Sequence, residues 1–221
     1  MTAPYVELHC HSGYSFLDGA SHPEELVLQA RALGYPALAL TDHDGLYGSM
    51  EFARFARSEG IQPVTGAEVT VDAGFHLTLL AETPAGYANL CRLLTRAHMG
   101  ASERGEPRLP LPALLEHTEG LICLTGCRRS PLWAALGDSV AAAESLARRL
   151  ARAFGPGSLF VELQDNRVRG DVRRLQALGS LADRLDLPVV ATGNVHYHGR
   201  GRHRLQDALV AIRTRSTLDG S

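Results

Sequence analysis

Two histidines, His9 and His11, close the short run Val6-Glu7-Leu8-His9-Cys10-His11, and Asp18 follows within ten residues. In an extended strand, positions i and i+2 share a face. His9 and His11 would then aim both imidazoles at one point while Cys10 turns away. Neutral imidazole is the commonest protein ligand for transition metals, so a rigid strand end with two of them is half a metal site. Other residues with ligand chemistry recur along the chain: His43 in Thr41-Asp42-His43-Asp44-Gly45, Glu68 in Gly66-Ala67-Glu68-Val69, then His76, Cys127, Asn194 and His196. Each alone has a plainer reading. A lone His43 is most simply hydrogen-bonded and structural, and a lone buried Cys127 is inert packing. Glu68 is harder to dismiss, because a carboxylate in an apolar β run needs a cation or several donors.

The elements that must position these residues can be read from periodicity. Residues 6–10 predict a strand. Ser21-His22-Pro23-Glu24 reads as a capping-box helix start with proline in the first turn, and Leu26, Val27, Ala30 and Leu33 keep helical spacing until Gly34. Strands are predicted at 37–41, 63–71, 75–81, 121–125, 159–163 and 189–192, and helices at 50–58, 87–97, 171–185 and 204–213. Ser139 caps a further helix with the stripe Val140, Ala143, Leu146, Ala147 and Leu150, and 103–112 reads as a loop. Strand–helix alternation argues for a parallel α/β fold. About seven strands favour a barrel over an open sheet, and barrel loops at the C-terminal strand ends converge on one face. His43, Cys127, Asn194 and His196 each follow a predicted strand. His76 fits less well, since it opens its run.

Composition narrows the chemistry. All 22 basic residues are arginine, and the chain has no lysine. That excludes Schiff-base chemistry, lysine-anchored pyridoxal phosphate and a P-loop. A phosphate must be held by arginine, backbone N–H groups or metal. A net charge of −2 gives no global attraction to DNA. Four cysteines in 221 residues, without a secretory segment, are not a disulfide framework. No apolar run reaches membrane-spanning length, so the expected compartment is the cytoplasm. Cys10, Cys91 and Cys123 read as core residues, and His22, His98, His117, His198 and His203 as surface or structural. Arg200, Arg202 and Arg204 form a basic cluster that could follow a nucleic-acid backbone or be a solvated charge run.

The motifs taken in order carry a resemblance. His9-x-His11 with Ser15-Phe16-Leu17-Asp18-Gly19, Leu40-Thr41-Asp42-His43, Gly66-Ala67-Glu68, His76-Leu77-Thr78-Leu79-Leu80-Ala81, Gly120-Leu121-Ile122-Cys123-Leu124-Thr125-Gly126-Cys127 and Val190-Ala191-Thr192-Gly193-Asn194-Val195-His196-Tyr197 resemble the PHP (polymerase and histidinol phosphatase) family. In particular they resemble the N-terminal PHP domain of bacterial C-family DNA polymerases, the replicative α subunit and its error-prone relative. The resemblance covers nearly the whole chain as one domain, 1–221, and residues 204–221 look like the segment leading towards a polymerase module.

The resemblance implies a distorted seven-stranded (βα)7 TIM-like barrel with two or three divalent ions (Zn, Mn or Fe) at the C-terminal strand face. One metal would take His9, His11, Glu68 and position 194. A second would share Glu68 and add His76 and Cys127, and a third would take Asp18, His43 and His196. Asn194 departs from the pattern, which usually has aspartate there. Arg128 and Arg129, next to Cys127, are the arginines expected to stabilise phosphate charge, with Glu68 and His11 central to catalysis. The implied activity is a metal-dependent phosphoesterase: a 3′–5′ exonuclease on single-stranded DNA or 3′ ends, working with C-family polymerase modules. The alternatives are a small-molecule phosphatase of histidinol-phosphatase type and a non-catalytic, metal-binding structural domain.

Overall fold

The computed structural model describes residues 5–101 and 105–218. The first two residues of the 103–112 loop, and the end of the 204–221 segment from Asp219, lie outside them. The chain divides into two compact units, residues 1–66 with 194–221, and residues 67–193. No helix among the described residues is long and apolar enough to cross a membrane.

In the first unit, α1 (Pro23–Ala32), β1 (Ala37–Leu40), α2 (Ser49–Ser58) and the start of β2 (Gln62–Val71) follow in order; a 3-10 turn (Arg200–Arg202) and α8 (His203–Thr214) close it. Pro23 takes the first helical position of α1, which makes His22 the N-cap instead of Ser21. The box therefore closes one residue later than the sequence predicts, with His22 N donating to Glu25 Oε2 at 2.9 Å. Strands β1 and β2 pair in parallel, Ala37 opposite Gln62 and Leu40 opposite Thr65. Leu26, Val27 and Ala30 from α1, Leu38 and Leu40 from β1, Phe52 and Ala56 from α2 and Cys10 form one core. The predicted 6–10 strand is reduced to two isolated bridges, Glu7 with Leu38 and Cys10 with Val195. Its alternation survives: Cys10 is buried in the apolar core, as a residue that turns away from its two flanking histidines should be.

The second unit holds the rest of β2, β3 (Phe75–Ala81), α3 (Pro84–Met99), α4 (Leu111–Leu114), β4 (Leu121–Leu124), α5 (Pro131–Asp138), α6 (Val140–Phe154), β5 (Leu159–Leu163), α7 (Asp171–Leu185) and β6 (Val189–Ala191). Within each unit hydrogen bonding follows chain order, β1 to β2 in the first and β2 to β6 in the second. Six strands are found among the described residues rather than seven. The alternation is also not uniformly parallel. A three-residue turn joins β2 to β3, too short for a parallel crossover, and β3 runs antiparallel to β4, with Thr78 opposite Leu124. Beyond it, β4–β5 and β5–β6 are parallel.

Helix α6 begins at Ser139, whose hydroxyl accepts from Ala142 N at 3.1 Å, and buries Ala143, Ala147 and Leu150. Together with Val161 of β5 and Leu178, Leu181 and Ala182 of α7, Ala143 and Ala147 make the second core. Val140 stands out of the predicted stripe and is exposed. Two helices lie where the sequence reading had none: α5, capped by Ser130 with Pro131 in its first turn, and the single turn α4, which overlaps only the last two residues of the predicted loop. Helix α3 starts at Pro84, earlier than predicted, because Thr83 Oγ1 accepts from Gly86 N at 3.1 Å.

Candidate metal centre

In the first unit, six of the predicted residues come together. The rings of His9 and His11 lie 5.1 Å apart, as shared-face placement requires. His11 also stacks nearly parallel on His43 at 4.5 Å and on His196 at 4.7 Å. Asp18 joins them from a loop: its Oδ2 lies 2.9 Å from His43 Nε2 and 3.2 Å from His196 Nδ1. Asn194 Oδ1 is 3.1 Å from His11 Nε2.

The backbone explains the convergence. Segments 9–11 and 194–196 are laced together by His11 N to Val195 O at 2.8 Å and Val195 N to His9 O at 2.9 Å. Asn194 adopts a left-handed φ of 50°, which asparagine tolerates better than most residues. The loop carrying Asp18 folds back so tightly that a Cβ on Gly19 would sit 1.9 Å from Ser12 O; only glycine fits there.

Asp42, to which the sequence reading assigned no role, organises this loop. Its buried carboxylate accepts from Ser12 N (2.7 Å), Ser12 Oγ (2.8 Å) and Ser15 Oγ (2.7 Å). Ser15 Oγ in turn accepts from His43 N at 3.0 Å and lies 3.3 Å from His11 Nδ1. Through this one hydroxyl Asp42 thus supports the His11 ring and the His43 backbone. Burial pushes its carboxyl above the ordinary range, although the Ser15 and Ser12 bonds pull the other way. Asp18 is the reverse case. Burial works to raise its carboxyl too, but hydrogen bonds with His196 and His43 outweigh it and hold the group well below the usual carboxylate range.

In the second unit, Glu68 of β2 and His76 of β3 pair, His76 Nδ1 to Glu68 Oε2 at 3.1 Å, and Cys127 Sγ lies 3.7 Å from the same nitrogen. The antiparallel run of β3 explains His76. Opening its strand places it beside the C-terminal end of β4, where Cys127 follows. Gly126 is needed for that approach: its φ is 93° and a Cβ would come within 2.1 Å of His76 O. Burial, then the negative charge of Glu68, pushes the Cys127 thiol far above its ordinary range, so it is a neutral thiol unless a cation stabilises the thiolate. A second unassigned carboxylate, Glu162 of β5, accepts from Gly126 N at 3.0 Å and Gln164 Nε2 at 2.8 Å and so fixes the turn before Cys127.

The two predicted phosphate arginines have protein partners. Arg128 Nη2 donates to Asp171 Oδ1 at 2.8 Å and to Arg169 O at 3.0 Å. Arg129 Nη2 donates to Gly74 O at 2.8 Å. Of the 200–204 cluster, Arg202 is tied to Glu25. His198 bonds Ser21 at 2.8 Å, in keeping with a structural role.

The donor set of the first unit fits a metal. Ligand atoms of His11, Asp18 and His43 all lie within 4.8 Å of one another. Nitrogen and oxygen ligands bound at roughly 2.0–2.2 Å are at most about 4.4 Å apart across the ion, so a contraction of a few tenths of an ångström would close the shell.

The fold and this cluster define an α/β protein that gathers imidazoles and carboxylates at strand ends and loops. Residues 7–166 match the family model of the PHP domain, and the chain belongs to that family. An error-prone DNA polymerase of Symbiobacterium thermophilum is 44% identical over 231 residues, covering 97% of this chain and 21% of that protein. The chain thus spans about a fifth of the length of the curated relatives it matches. Among solved structures, an amidohydrolase from Chromobacterium violaceum with bound sulfate and no metal aligns with a TM-score of 0.57 and 18% identity, over 92% of this chain and 96% of that one. The lesion-specific endonuclease Q of Pyrococcus furiosus aligns with a TM-score of 0.54 and 14% identity, over 94% and 56%. These likenesses establish the fold.

Proposed function

We propose that the chain is a metal-dependent phosphoesterase, a 3′–5′ exonuclease on single-stranded DNA or 3′ ends, acting in the cytoplasm with C-family DNA polymerase modules. His9, His11, Asp18, His43, Asn194 and His196 in one unit, and Glu68, His76 and Cys127 in the other, are the ligands in this reading. They would hold two or three divalent ions of Zn, Mn or Fe. The observation that carries it is the packing of Asp18 against His43 and His196, with His11 stacked on both rings. A purely structural core has no need to bury an ionised carboxylate among imidazoles.

When bound, such ions lower the pKa of coordinated water and polarise phosphoryl oxygens. The chain's own groups supply the frame. Asp42 and Ser15 hold the His11 ring and the His43 backbone, and Gly126 and Glu162 fix Cys127. Arg128, anchored on Asp171, is about half exposed and keeps donors for a phosphate oxygen. Arg129 would assist from the neighbouring position.

The test is hydrolysis of 3′-end-labelled single-stranded DNA with Mn²⁺, run beside p-nitrophenyl phosphate and histidinol phosphate. The reading expects nucleotide release from the 3′ end that His11→Ala abolishes. Activity untouched by His11→Ala would place the chemistry elsewhere, and preference for the small esters would favour a phosphatase. One observation favours a second reading, a metal-binding structural domain of a polymerase. Asn194, a neutral amide, occupies the position beside His11 Nε2, where a carboxylate would hold a metal more tightly. Stoichiometric metal with no hydrolysis of any of the three substrates would establish that reading.

A further inference from the structure

The Asp18 carboxylate is divided between two kinds of partner. Its Oδ2 faces His43 and His196, while Oδ1 accepts from Arg213 Nη1 at 2.5 Å. Arg213 arrives from α8, 195 positions along the chain. Asp18 is buried, yet the Arg213 side chain is 45% exposed. Arg31 and Arg202 in the same unit are paired elsewhere, with Glu59 and Glu25. A full positive charge therefore rests on the carboxylate that would ligate a cation. Without metal, the guanidinium offsets the cost of a buried ionised group. With metal, two cations share one carboxylate and repel each other.

We propose that Arg213 is a resident counter-cation of Asp18, which stabilises the metal-free protein and weakens divalent-metal binding at the Asp18–His43–His196 group. This rests on the reading of those three residues as metal ligands. A merely structural arginine makes the opposite prediction, since its loss would loosen the cluster and weaken metal binding as well.

The experiment is Mn²⁺ titration of the full chain, followed by electron paramagnetic resonance, with Asp18→Asn identifying the binding step that depends on Asp18. Arg213→Gln keeps a donor for Oδ1 but removes the charge; Arg213→Met removes both, and Arg213→Lys keeps the charge. Arg213→Gln should tighten the Asp18-dependent step about tenfold at low salt, the scale of repulsion between a single and a double charge several ångströms apart in water-like surroundings. The gain should shrink as salt is raised, and Arg213→Lys should behave as the unsubstituted protein. Arg213→Met should melt earlier than the unsubstituted protein when both are metal-free, and should also bind Mn²⁺ more tightly. If it does not fold, Arg213→Gln carries the comparison. Unchanged or weaker Mn²⁺ binding in Arg213→Gln overturns the proposal. Absence of an Asp18-dependent step in every protein instead refutes the metal reading beneath it, and its appearance only after the arginine is removed supports both.

Discussion

Replacing Asn194 by aspartate tests the weakest ligand position with almost no change of shape. Asn194 is half-buried, holds a left-handed φ of 50° that aspartate also accepts, and places Oδ1 3.1 Å from His11 Nε2. The substitution Asn194→Asp adds one negative charge at that point. A single and a double charge about 4 Å apart attract by about 2 kcal/mol even in a water-like dielectric, and more in a drier one. At about 1.4 kcal/mol per factor of ten, metal affinity should rise roughly thirtyfold or more. Partial exposure of the position keeps the desolvation cost of the new carboxylate small. The assay is competition for Zn²⁺ or Mn²⁺ against a chelator of known affinity at pH 8, with bound metal counted by elemental analysis. If every binding step stays within about threefold of the unsubstituted protein, far less than that attraction demands, position 194 is not a ligand. The assignment of His11 to the same ion then loses its main support. If affinity rises and hydrolysis appears only in the variant, the unsubstituted chain is a structural domain whose chemistry one amide has disabled.

Two further outcomes follow from the geometry. Because hydrogen bonds with His196 and His43 hold the folded Asp18 carboxyl below its unfolded value despite burial, its contribution to stability is present above the ordinary carboxylate pKa of roughly 3.9. That contribution is lost as pH falls from there towards the lower folded value. Urea midpoints of the metal-free protein between pH 3 and 6 should therefore fall less steeply on acidification in Asp18→Asn; equal slopes refute the assignment. Gly126→Ala should cost at least about 2 kcal/mol, since it adds left-handed strain to a contact 2.1 Å from His76 O. A change of urea midpoint worth less than about 0.5 kcal/mol, the range of neutral surface substitutions, would mean that β4 does not pass His76 as described.

What could be read from the sequence and what could not divide along a physical line. His9 and His11 were legible because a period of two is a local property of extended backbone. It holds even where the strand shrinks to two bridges. The apolar runs of β1, β4 and β5 and the buried stripe of α6 were legible for the same reason: each depends on side chains a few positions apart. The direction of β3 is not local. Only the short turn after Val71 hints at it, and that direction turns His76 from an ill-fitting ligand into the natural neighbour of Cys127. Asp42, Glu162 and Arg213 were illegible for a related reason. Nothing in their own spacing distinguishes a solvated charge from one that orients a ligand, and their partners at Ser15, Gly126 and Asp18 lie 27, 36 and 195 positions away. Residues that would touch a metal are constrained in type and can be picked from a pattern of histidines and carboxylates. Residues that hold those in place are constrained only in position, so they emerge once the chain is folded. The Arg213 contact with Asp18 is the sharpest instance, since a cation is the last residue that ligand chemistry alone would place there.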